Sequence, residues 1–119
     1  MYKKPKNDDK YTWTNHVVGK MAYYHISESL VKRVVRFPKR IEKGIAPGTT
    51  ACMQPAGSKK HPTEIWVMYV EKDQALKVGL ASKKKIISAW RYPGVSKVGE
   101  PIPIPEEILD ALQELDNEV

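Results

Sequence analysis

A chain of 119 residues has room for one domain with a modest core that needs no disulfide or metal staple. Its 41% apolar and 29% charged residues argue against global disorder, and no apolar run approaches the roughly 20 residues of a bilayer-spanning helix. The net charge of +6 hides an asymmetry: from Glu100 onward there are seven acids and no base, so residues 1–99 hold 20 bases against seven acids, a formal +13 that favours phosphate-rich partners.

Residues 1–10 (MYKKPKNDDK) are polar and aperiodic, with no apolar segment behind the lysines, which predicts a mobile basic arm rather than a signal sequence. Thr14 or Asn15 then caps a helix, because a short oxygen-bearing side chain satisfies an amide that the first turn leaves unpaired. That helix is expected to run to about Ile26, with Val17, Val18, Met21 and His25 on one side and His16, Lys20 and Tyr23 on the other. His25 is therefore read as structural. Ser27 caps a second helix, Glu28 sits against its positive end, and Leu30, Val31, Val34 and Val35 form its apolar stripe. Lys32, Arg33 and Arg36 cover its outer side, and Phe37-Pro38 ends it.

Lys39–Met53 (KRIEKGIAPGTTACM) predicts a strand, a turn at Ala46-Pro47-Gly48 and a returning strand, and Gln54–Pro62 reads as a loop by composition. Glu64–Glu71 (EIWVMYVE), Ala75–Ala81 (ALKVGLA) and Lys85–Tyr92 (KIISAWRY) predict three strands joined by short connections into an antiparallel meander. Pro93-Gly94 stops the last strand, and EPIPIP over Glu100–Pro105 is an extended connector. Glu106-Glu107 open a helix carrying Ile108, Leu109, Leu112 and Leu115. This acidic helix either closes the core or covers another surface, as a lid on the basic body or as the contact of a homodimer. The fold class is α+β: an N-terminal two-helix hairpin packed on an antiparallel sheet of three to four strands, plus a C-terminal acidic helix, divided as an arm (1–10), one domain (11–99) and a connector with helix (100–119).

These elements and their residues resemble a toxin-like branch of the barnase, EndoU, colicin and RelE superfamily of small ribonuclease folds. That branch opens its first helix with His, a basic residue four positions on, and Met, as His16, Lys20 and Met21 do here. Ile26-Ser27-Glu28 matches its helix break, Leu30–Pro38 its Val-rich second helix, and Ser88 with Trp90 the hydroxyl and aromatic of its closing strand. The match spans residues 14–92, with Lys20 in place of the commoner Arg, Ser88 in place of the commoner Thr, and a longer segment around Ala46–His61.

The resemblance implies RNA binding, with metal-free cleavage as the expected chemistry. Such cleavage needs a base for the 2′-hydroxyl proton, an acid for the leaving oxygen and cations for the charge on phosphorus. His16 is the acid–base candidate, since imidazole titrates near neutrality, and Ser88 is the candidate to position phosphate or share a proton. Lys20, Lys32, Arg33, Arg36 and Arg91 are candidate phosphate ligands, and Trp90 a candidate base-stacking ring. Arg91 points to the opposite strand face from Ser88 and Trp90, so if that face is the open one, Arg91 marks the site instead. His16, His25, Cys52 and His61 show no metal-ligand spacing, and there is no phosphate-binding glycine loop or nucleophile elbow, so no cofactor is expected. The lone cysteine fits a reducing compartment, which makes cytoplasm the expected location, with no membrane contact. Two other classes stay open: a noncatalytic nucleic-acid-binding module, and an interaction protein that uses its acidic C-terminal helix. A toxin-like enzyme further implies a neutralising protein partner.

Overall fold

The computed structural model describes residues 4–72 and 83–117. Along them run β1 (Tyr11–Trp13), α1 (Asn15–Tyr24), α2 (Glu28–Arg36), β2 (Arg40–Lys43), β3 (Thr49–Gly57), β4 (Pro62–Lys72), β5 (Lys83–Pro93) and α3 (Glu106–Asn117). The α+β class is the one the sequence predicts. The sheet is larger and of another kind: five strands in the order β1-β5-β4-β3-β2, mixed because β1 pairs with β5 in parallel. The expected strand over 75–81 lies outside the described residues, and β4 pairs directly with β5 from Thr63↔Pro93 to Lys72↔Lys83, so no third strand stands between them.

β1 has only three residues, too few for a period of two to stand out. What fixes it is the polar segment before it. Asp8 Oδ1 accepts the amides of Lys10 and Tyr11, both at 2.8 Å, and Asn7 Oδ1 accepts that of Trp13 at 2.9 Å. Pro5 is buried. The stretch that reads as a mobile arm is thus tied to the sheet edge from Pro5 onward.

The loop expected over Gln54–Pro62 is mostly strand, with β3 and β4 paired up to Gly57↔Pro62. Pro55 is tolerated there for a geometric reason. Gly44 N–H donates to Thr49 O, so Thr49, Ala51 and Met53 bond towards β2, and Pro55, in the same phase, turns its nitrogen to that side after β2 has ended. Gly57 sits at φ 78°, and a Cβ there would meet the His61 carbonyl, which is why the hairpin turns at glycine.

Both faces of the sheet are covered. Ile65, Val67 and Tyr69 of β4 pack with Ile86 and Ala89 of β5 against Val17, Met21, Val31, Val34 and Val35 of the two helices. Trp66 and Met68 face the other way with Trp90, under Ile102, Ile108 and Leu112. A central strand buried on both faces reads as an unbroken apolar run, as EIWVMYV does. The connector to α3 is locked down by a buried polar network that the sequence does not announce. Glu64, 2% exposed, accepts Trp66 Nε1 at 3.1 Å and Ser96 Oγ at 2.6 Å on Oε1, and Ser96 N at 3.1 Å on Oε2. Arg40 lies over the Trp66 ring at 5.2 Å and donates to Ser96 Oγ at 2.7 Å and to the Glu100 carbonyl at 3.4 Å. Ile108 and Leu112 of α3 are therefore core residues, packed with Ile102 on the Trp66 and Trp90 side of the sheet.

Candidate active site at the β5 edge

β1 covers the outer edge of β5 only as far as Trp13↔Ile86. There the chain turns into α1, and Thr14 makes the joint: its N–H and Oγ1 donate to Ile86 O at 3.3 and 3.2 Å, Oγ1 also reaches Ile87 O at 3.1 Å, and the same oxygen caps Val17 N at 3.1 Å. The first turn of α1 is thereby pinned beside β5. A bulge lies at the same place, since Met68 pairs with Ser88 while Tyr69 pairs with Ile86. Bulges re-aim side chains, and here Ile86 and Ala89 share a face despite being three residues apart.

The consequence is a contact across 72 residues of sequence: His16 Nε2 lies 3.0 Å from Ser88 Oγ. His16 is half-buried and Ser88 entirely buried. Burial holds the His16 imidazole below its ordinary value of 6.5, and the Lys20 ammonium pushes the same way. The neutral imidazole is thus the major form at pH 7. Lys20 also lies 5.5 Å from the ring of exposed Tyr23, so imidazole, cation and aromatic follow one another along the outer strip of α1. Of the eight candidates read from sequence, His16, Ser88 and Lys20 come together.

The other five go elsewhere. Trp90 is fully buried, stacks on Trp66 with ring centroids 6.1 Å apart, and donates Nε1 to Pro103 O at 2.9 Å, so it has no face to offer a base. Arg91 directs Nε and Nη2 to the Tyr24 carbonyl at 3.4 and 3.3 Å, where it closes the C-terminus of α1. With both faces covered, the question of which one is open has the answer neither, and His16 and Ser88 meet at the strand edge. Lys32 pairs with Glu28 at 3.7 Å and lies over the Tyr11 ring at 5.4 Å. Arg33 and Arg36 are exposed on the last turn of α2, whose end is held by Gln54 of β3 through the Arg33 and Phe37 carbonyls at 3.2 and 2.6 Å. β3 is two strands from β5, at about 4.8 Å each, so these arginines form a separate patch.

His25 is not on an apolar helix face: α1 ends at Tyr24, and His25 follows it, exposed, as a left-handed cap at φ 57°. Cys52 is buried, which pushes its thiol pKa up and favours the protonated form. Among the described residues, no three His, Cys, Asp or Glu side chains converge, and no helix is long and apolar enough to cross a membrane.

A stability prediction follows from His16. Its folded pKa lies below the unfolded one, so in the window between them the unfolded chain binds more protons, and folding stability rises with pH there. The contribution is fully present above about 6.5 and is lost as pH falls through the folded pKa. In a proton NMR titration, the His16 ring signals should shift at lower pH than 6.5, and Lys20→Gln should move that midpoint only part of the way back, because burial is the larger cause.

No protein-family model, curated protein or solved structure matches this chain.

Proposed function

We propose that the protein binds RNA and cleaves it by acid–base chemistry at the β5 edge, with His16 as the catalytic residue, Ser88 as its positioning residue and Lys20 as a phosphate cation. The observation that supports this most is the His16–Ser88 pair at 3.0 Å with Lys20 one helical turn on. A neutral imidazole has two ways to sit on the serine. When Nε2–H donates to Oγ, Nδ1 carries a lone pair and accepts the 2′-hydroxyl proton as the 2′-oxygen attacks phosphorus; the P–O5′ bond breaks to leave a 2′,3′-cyclic phosphate, and the imidazolium returns that proton to the departing 5′-oxygen. When the hydroxyl donates to Nε2, Nδ1 carries the proton and is a donor for a phosphate or leaving oxygen. Ser88 is too deeply buried to touch RNA, and it acts by holding the ring. The test is cleavage of labelled RNA in EDTA by the wild type and by His16→Ala.

One observation favours a second reading. Ser88 is inaccessible and Trp90 and Arg91 have structural partners, so the acid–base pair stands without the aromatic and arginine expected beside it. A noncatalytic nucleic-acid-binding module would keep the cations and use the His16–Ser88 bond as a latch between α1 and β5. RNA binding without cleavage across varied sequences selects this reading.

A further inference from the structure

A groove of about 740 Å³ separates residues 4–8 from the corner between α1 and α2, with Lys4, Lys6 and Asp8 on one wall and His25, Ser27 and Lys32 on the other. A second hollow, about 430 Å³, is lined by Lys4, Lys6, Trp13 and Asn15. The two share the wall formed by Lys4, Pro5, Lys6 and Asn7, and the second is also lined by Asn15, on the first turn of α1 that carries His16. The first is of the size that holds small ligands, about 300–1,000 Å³.

The charges inside are not equivalent. The Asp8 carboxylate is engaged by the Lys10 and Tyr11 amides, which hold its pKa below the ordinary range, and Glu28 is paired with Lys32. Lys4 and Lys6 are exposed and make no ion pair among the described residues. Buried Pro5 sits between them, and the Asn7 bond to Trp13 N holds the segment on the fold. Two cations without an ion pair among the described residues, on an anchored segment that walls both hollows, are arranged as a clamp for a polyanion.

We propose that the two hollows walled by Lys4, Pro5, Lys6 and Asn7 carry the single strand of RNA adjoining the phosphate handled at His16, with Lys4 and Lys6 as its phosphate ligands; the inference rests on the RNA reading above. It transfers the main cationic contact from the Arg33 and Arg36 patch, two strands away, to the N-terminal segment. The probe is a fluorescein-labelled 2′-O-methyl oligouridine, which 2′-hydroxyl attack cannot cut, so binding by the full chain is read apart from cleavage. For Lys4→Ala/Lys6→Ala, the slope of log affinity against log salt should shrink by about 1.4, roughly a 25-fold loss at about 0.1 M salt, on a basis of about 0.7 per phosphate. Arg33→Ala/Arg36→Ala should change less. Both lysines are exposed, so circular dichroism should show an unchanged fold. An unchanged slope in the lysine variant, or a larger loss in the arginine variant, overturns the clamp, whether or not unmodified RNA is cleaved. A slope that shrinks as expected in a protein that cuts no RNA leaves the clamp standing and removes the acid–base reading. No binding by the wild type removes both.

Discussion

Removal of residues 101–119 should unfold or aggregate the protein rather than release a hidden RNA site. Ile102, Ile108 and Leu112 are each at most 9% exposed and lie on Trp66, Met68 and Trp90. Burial of one such aliphatic side chain is worth about 1.5–3 kcal/mol, so three of them rival the roughly 5–15 kcal/mol of a whole domain. The deletion would also strip the partner from Trp90 Nε1 and leave two stacked indoles facing water. A smaller cut isolates the packing: Ile108→Ala should cost about 2–5 kcal/mol, seen as a lower urea midpoint with an unchanged slope. A monomeric, fully folded truncation that binds RNA more tightly than the full chain would falsify this and make the acidic helix a lid.

His16→Ala should lower RNA cleavage in EDTA by about 10²–10⁴-fold, the usual worth of a positioned acid or base. His16 is half-buried on a first turn that Thr14 pins independently, so the variant should stay folded and still bind RNA. The pH profile carries the sharper information. A general base must be neutral, so the rate should rise with pH through the depressed His16 pKa, below 6.5, and level off above it. Ser88→Ala keeps the imidazole but loses its orientation, so it should lower the rate less than His16→Ala and change the pH midpoint, which a merely structural serine would not do. If His16→Ala cuts RNA as fast as the wild type, the imidazole is not the catalyst.

The local features were legible in the sequence because their causes are local. Thr14 and Ser27 start their helices with their own oxygens on Val17 N and Leu30 N, and the stripes Val17/Met21 and Val31/Val34/Val35 are buried as their spacing requires. The His16 and Lys20 pair on the outer strip of α1 follows from a spacing of four. The companionship of Ser88 with His16 was implied by the resemblance alone, since no period in the chain links positions 72 apart. Only the tertiary structure decided the rest. A three-residue parallel strand, a bulge at Ile87, and a proline tolerated because β2 ends before it are all set by what lies alongside. Whether Trp90 and Arg91 meet solvent depended on which elements cover each face of the sheet. The acidic chain end took the Trp66 and Trp90 side, while the α1 C-terminus took the Arg91 guanidinium. The polar network had no local signal for the same reason: Glu64 and Arg40 are brought together only when Ser96, 32 and 56 residues on, arrives to share their hydrogen bonds. Alternation and capping are written in neighbours along the chain, whereas burial and partnership are fixed only when distant segments exclude water from one another.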